Sequence, residues 1–327
     1  MVPEQETAIA PGKVIIAGEH AVVYGHIALG FALSRRASVS LRPGHGNVRV
    51  HLDEAFALQT NPAAARGVTP TALVHRILGR QRNEIDVDID LSIPPMSGLG
   101  SSAAIAVATA RAFARFTGHK TTSDLEIFRR AMTAEKLAHG RPSGVDPAIV
   151  VSAGLVRFQR KSGRRGSVLA RKRRVGARPE VHWRRIRPAL PLSFVVAVAG
   201  HHGGTRGAVG QVTALHKDSG RMTRAAMTTL GEIAQASCLH VASGNIPALG
   251  RAMNLAHGVL LGLGLAHESV HEAVRIALAA GAIGAKMTGA GGQGGALIAL
   301  AEDRLGAARI VRRLQKHALP CWAETVS

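Results

Sequence analysis

Residues 94–104 read Pro94-Pro95-Met96-Ser97-Gly98-Leu99-Gly100-Ser101-Ser102-Ala103-Ala104 and carry the chain from an alternating strand into a helix of small residues. Upstream, Ile85, Val87, Ile89 and Leu91 alternate with Asp86, Asp88 and Asp90, the two-residue period of a half-buried strand. Downstream, a helical pattern covers 102–116 and stops at Gly118. A glycine- and serine-rich junction of this kind suits phosphate. Glycine lets the main chain approach an anion and expose successive N–H groups, and the helix adds unpaired donors and the positive end of its dipole. The spacing is not G-x-x-x-x-G-K-[ST] and no lysine follows the glycines, so the P-loop nucleotidase pattern is absent. A strand-to-helix turn that merely needs glycine is the alternative reading.

Toward the N-terminus, 14–16, 37–41 and 48–52 read as strands of a small sheet, and 69–78 as a helix opened by Thr69 and Pro70. Toward the C-terminus, a second helix runs from Ser123, an N-cap, to about His139, where Gly140 stops it. A strand starts at Leu155, and the apolar stretch 192–199 forms another. That second strand leads into His201-His202-Gly203-Gly204-Thr205-Arg206 and a helix through Leu215. Helices follow over 222–243, 246–263 and 269–280. The third glycine cluster, Lys286-Met287-Thr288-Gly289-Ala290-Gly291-Gly292-Gln293-Gly294-Gly295, precedes an apolar strand at 296–300, a helix at 304–317 and a last strand near Trp322. No repeat of fixed period is present.

At 327 residues the chain fits two domains, with 46% hydrophobic and 19% charged residues, the balance of a globular protein. Two cysteines, Cys238 and Cys321, give neither a disulfide scaffold nor metal-ligand spacing, which points to a reduced, cytoplasmic compartment. The first ten residues carry Glu4 and Glu6 and lack a signal-peptide pattern, and no apolar run reaches membrane-spanning length. The net charge of +20 invites a nucleic-acid reading, but its distribution weakens it: 157–187 holds thirteen Lys or Arg against Glu180 alone. That excursion reads as a solvated segment, with a surface for anionic partners as the second reading.

Four segments in order make the pattern specific. The first is Ala10-Pro11-Gly12-Lys13-Val14-Ile15-Ile16-Ala17-Gly18-Glu19-His20-Ala21-Val22-Val23-Tyr24-Gly25; the second and fourth are the loops at 94–104 and 286–295. The third is His139-Gly140-Arg141-Pro142-Ser143-Gly144-Val145-Asp146. With weaker similarity at Gly204-Thr205-Arg206 and Met253-Asn254, the chain resembles the GHMP kinases (galactokinase, homoserine kinase, mevalonate kinase, phosphomevalonate kinase) everywhere but in the basic excursion. The resemblance implies an α+β, two-domain GHMP kinase fold. Its N-terminal, ribosomal-protein-S5-like α/β domain would span 1–188 and bind ATP and Mg2+, and a ferredoxin-like C-terminal domain would span 189–327.

It also implies transfer of the γ-phosphoryl of ATP to an alcohol, with (R)-mevalonate as acceptor. A related acceptor such as phosphomevalonate and, outside the enzymes, a nucleic-acid-binding role on the same scaffold are the alternatives. A homodimer is compatible with this reading, and no membrane partner is expected. Such chemistry needs placed reactants, neutralised phosphates and a destination for the hydroxyl proton. Asp146 is the candidate base, in a turn after Pro142-Ser143-Gly144-Val145, and Lys13 would keep it ionised and stabilise the alkoxide. Ser102 and Glu135 are the candidate Mg2+ ligands, against the plainer readings of an N-cap and an i,i+4 partner of His139. Glu19, His20, Thr205 and the backbone near Ala290 are candidates for holding the acceptor. Gln293 interrupts a run that is usually all glycine, so the turn there differs or the residue contacts substrate.

Overall fold

The computed structural model describes residues 3–53, 68–119, 121–140, 142–161, 180–200, 205–292 and 294–327. Gln293, Arg141, the stretch 201–204 and the middle of the basic excursion, 162–179, lie outside the described residues. The chain divides into two compact units. The first comprises Met1–Lys13, Ala32–Pro95 and Leu99–Ala153; the second comprises Val14–Phe31, Met96–Gly98 and Gly154–Ser327. Both β1 (Glu6–Ala17) and β2 (Ile27–Pro43) therefore contribute to each unit.

In the first unit, the Ala37–Pro43 end of β2 pairs antiparallel with β4 (Ile85–Leu91), and β3 (Val48–Leu52) pairs parallel with β4. The alternation in β4 buries Ile85, Val87, Ile89 and Leu91 and turns the aspartates outward. Among the described residues the unit also has four helices: α1 (Pro70–Leu78), α2 (Ser101–Phe116), α3 (Asp124–His139) and α4 (Val145–Ser152). Thr69 caps α1 through Ala72 N–H at 3.2 Å, with proline in the first turn. Ser123 caps α3 through Glu126 N–H at 3.3 Å, and Asp124 and Glu126 complement the dipole there. α2 is buried on almost every side, and alanine at seven of its sixteen positions lets α1, α3 and α4 each pack against it.

In the second unit, the Ile27–Phe31 end of β2 pairs with β5 (Leu155–Lys161), which pairs in turn with β6 (Glu180–Arg185). A separate antiparallel sheet has the order β10-β7-β9-β8, formed by β7 (Leu192–Val198), β8 (Gly284–Thr288), β9 (Ala296–Ala301) and β10 (Cys321–Val326). β7, β8 and β9 are buried along their whole length. The helices are α5 (Thr205–Asp218), α6 (Gly220–Ser243), α7 (Ile246–Gly262), α8 (Glu268–Ala279) and α9 (Arg304–Gln315). Phe31 and Phe194 stack in the core with centroids 5.0 Å apart. Among the described residues, no helix is long and apolar enough to cross a membrane.

Two elements depart from the sequence reading. β6 was hidden among the basic residues, although Val181 and Trp183 alternate there with His182 and Arg184. The segment holding Asp146 is a helix, α4, and not a turn. Valine, isoleucine and proline are weak helix formers, but every residue of α4 except Asp146 is buried, and packing on α2 and α3 overrides propensity.

Candidate active site

In the first unit a charged cluster forms around the start of α2. The Lys13 N–H on β1 donates to the Leu99 carbonyl at 2.9 Å, which ties the first motif to the glycine loop. Gly100 is the N-cap of α2 and adopts the left-handed conformation, φ 82°. A Cβ there would stand 2.7 Å from Lys13 Cγ, so both backbone angle and the overlying lysine require glycine. Lys13 is 3% exposed, and its Nζ lies 3.0 Å from Asp146 Oδ2, a side chain that keeps 26% of its surface. The carboxylate thus stands in the first turn of α4, paired with a lysine that lies over the α2 N-terminus.

Ser102, in the first turn of α2, donates its hydroxyl to Glu135 Oε1 at 2.8 Å, and its Oγ is 3.3 Å from His139 Nε2. Gly100 takes the cap position that Ser102 was considered for, and the serine side chain is turned to the carboxylate instead. His139 also stands 3.6 Å from Glu135 Oε2, one helical turn along α3. Glu135 is sealed on the buried face of α3. Burial pushes its carboxyl pKa up; His139, Ser102 and Lys13 oppose that rise, and the Asp146 charge adds to it.

A buried carboxylate and a hydroxyl on neighbouring helices are the hard oxygen donors that Mg2+ takes alongside phosphates and water. A cation would also relieve the desolvation of Glu135, so these residues fit the metal. Among the described residues no group of three or more His, Cys, Asp and Glu is arranged to hold an ion by itself.

The second unit contains the remaining candidates. Pro94, Pro95 and residues 99–104 belong to the first unit, whereas Met96, Ser97 and Gly98 belong to the second. Gly289, at φ 87°, faces Gly98 so closely that a Cβ on it would be 3.1 Å from the Gly98 carbonyl oxygen. Glu19 forms a sealed ion pair with Lys286, whose Nζ also donates to the Met287 carbonyl at 2.6 Å. Thr288 Oγ1 accepts the Ile15 N–H at 2.9 Å and donates to the Ile15 carbonyl at 3.1 Å. His20, at φ 59°, donates from Nε2 to the Ala290 carbonyl at 2.8 Å. Burial lowers its pKa and Lys286 adds to that, against the Ala290 bond, so the ring is neutral and Nδ1 is an acceptor. Thr205 is the first residue of α5.

Sequence reasoning passed over Lys286 and Thr288 as site residues, although a lysine inside an apolar strand just ahead of a glycine cluster was the available signal. It named His139 only as the i,i+4 partner of Glu135, and the ring stands beside both Glu135 and Ser102.

The sequence model of the GHMP kinases N terminal domain matches residues 68–154, and that of the GHMP kinases C terminal domain matches 234–319. The chain is a GHMP kinase. This GHMP kinase is 34% identical over 307 residues to a mevalonate kinase of Aeropyrum pernix, covering 90% of this chain and 88% of that one. To a mevalonate kinase of Pyrococcus horikoshii it is 30% identical over 320 residues, covering 91% and 89%. In fold it is similar to the L. major mevalonate kinase solved in complex with R-mevalonate, at TM-score 0.80 and 23% identity over 100% and 98% of the two chains. The two-domain, mixed α/β architecture expected from the motifs is the architecture of this GHMP kinase.

Proposed function

We propose that this GHMP kinase transfers the γ-phosphoryl group of ATP to the 5-hydroxyl of (R)-mevalonate, giving 5-phosphomevalonate and ADP. The observation that carries the chemistry is the Lys13–Asp146 pair, 3.0 Å apart beside the α2 N-terminus. The kinship with mevalonate kinases over 90% of the chain supports the acceptor.

In this reading the backbone of 94–104 and the first turn of α2 hold the phosphates through N–H groups and the helix dipole. Asp146 takes the hydroxyl proton as the oxygen attacks phosphorus and the bond to the ADP oxygen breaks. Lys13 pairs with that carboxylate and offsets negative charge on the moving group. Phosphoryl transition states are commonly loose, so placement carries more of the rate than full deprotonation beforehand. Ser102 and Glu135 would hold Mg2+, which would neutralise phosphate charge when bound with ATP. His20, through its remaining ring nitrogen, Thr205 and the backbone at Ala290 orient the acceptor, and Glu19 supports them through Lys286.

The test is ADP release by the purified protein with mevalonate, phosphomevalonate, homoserine and galactose in parallel. Turnover with mevalonate alone is expected. Comparable or faster turnover with any other acceptor overturns the assignment.

A further inference from the structure

Among the described residues β8 is an edge strand: β9 pairs with it on one side, and no strand pairs with the other. An edge leaves every second N–H without a ladder partner. Helix α7 takes those donors with side chains. Asn254 Oδ1 accepts the Ala285 N–H at 2.9 Å, and His257 Nδ1 accepts the Met287 N–H at 3.3 Å. Donors two residues apart on a strand are thus met by acceptors three residues apart on a helix, one turn along the same face. Gly250, one turn earlier, lets the helix approach; a Cβ there would be 2.5 Å from Ile283 Cγ2 and 2.7 Å from the Ile283 carbonyl oxygen. α7 therefore stands where a fifth strand would.

His257 is the end of this clamp nearest the third glycine loop, and its hydrogen bonds define its state. Nδ1 receives the Met287 N–H, so the ring proton is on Nε2 and is donated to His271 Nδ1 at 3.1 Å, with the two rings stacked. Burial first, then Lys286 and His271, hold the His257 pKa down at about 4, so the His257 ring is neutral at ordinary pH and its Nδ1 is open to the Met287 N–H. On either side of Met287 stand Lys286, paired with Glu19, and Thr288, clasped to Ile15; Gly289, against Gly98, follows.

We propose that His257 is a positioning residue for phosphoryl transfer: by accepting the Met287 amide it sets the register of β8, and with it the place of the Gly289 turn beside Gly98. The proposal rests on the kinase reading above. It requires an acceptor at the Nδ1 position, a requirement two amide variants separate. Asparagine in His257→Asn puts its oxygen near Nδ1, whereas glutamine in His257→Gln reaches the Nε2 position and leaves the Met287 N–H unmet.

The experiment compares kcat and KM for both substrates, melting temperature and hydrogen exchange at the Met287 amide in the wild type and both variants. His257→Gln is expected to lose about 10- to 100-fold in kcat, the cost of a misplaced reacting group, with faster exchange at Met287. His257→Asn is expected to stay within about threefold of wild type, with the amide protected. Equal kcat in all three, or equal losses in both variants that follow melting temperature, overturns the proposal. A wild type inactive on mevalonate sinks the acceptor assignment instead, and Met287 exchange still reports whether His257 holds the strand.

Discussion

Among the described residues, two buried lysines pair with carboxylates, one in each unit, and the two pairs differ in how far water reaches them. Lys13 meets Asp146, a carboxylate that keeps a quarter of its surface and stands at the opening of a helix. Lys286 meets Glu19 with both side chains sealed, and the lysine spends its other donors on backbone carbonyls. A pair with one partner reachable can exchange a proton with a ligand. A pair closed on all sides can only hold the chain in place, and breaking it strands a charge. On the reading proposed above, the same two side-chain types divide into chemistry and scaffolding by exposure.

The sharpest way to break this contrast is Asp146→Asn. Turnover should fall by about a thousandfold, the middle of the range for losing a general base, while the melting temperature stays near the wild-type value. If activity survives within tenfold, the exposed pair is no more chemical than the sealed one. The mirror experiment is Lys286→Met, which leaves Glu19 buried without its lysine. A loss of about 3 kcal/mol in urea unfolding is expected, with most of it recovered when Glu19→Met is added. Recovery by the double variant is the decisive readout, because a catalytic lysine would not be replaced by a second methionine.

Gly100→Ala addresses the reachable pair from its backbone side. Forcing alanine to φ 82° costs about 1–2 kcal/mol, and the new methyl displaces Lys13. The expected result is a modest fall in stability with a KM for ATP raised about tenfold, measured by steady-state kinetics. An unchanged KM would detach the glycine from the nucleotide.

Much of this was legible in the sequence, for a physical reason. The loop at 94–104, the Ser123 cap, the alternation of 85–91 and the first-turn position of Ser102 are local signals, encoded within a few residues of where they act. What was not legible is set by partners far away in the chain. α4 is helical only because α2 and α3 cover it, so its valines and isoleucines pointed elsewhere. Lys286 looked like the first residue of a glycine motif, and nothing nearby reveals that its partner, Glu19, stands 267 positions earlier. His257 offers even less, since its meaning lies in one backbone N–H on a strand thirty residues on.

The two units also carry the smallest effect, a pair of opposite pH slopes. Burial favours the neutral form of both Glu135 and His257, but the neutral form is the protonated one for the acid and the deprotonated one for the base. Glu135 has a folded pKa above its ordinary value of 4.5, so the folded state holds that proton more tightly and the associated stability is lost as pH rises through the raised value. His257 has a folded pKa of about 4 against 6.5, so the unfolded state binds the proton first and stability is lost as pH falls from 6.5 through about 4. Urea midpoints measured without divalent cation should therefore flatten on the alkaline side in Glu135→Gln and on the acid side in His257→Asn. Added Mg2+ should raise the midpoint of the wild type near neutral pH and not that of Glu135→Gln, because a cation held there offsets the cost of the buried charge. Should both variants flatten the same side, the two burials would not be acting independently and the division of labour between the units would fail.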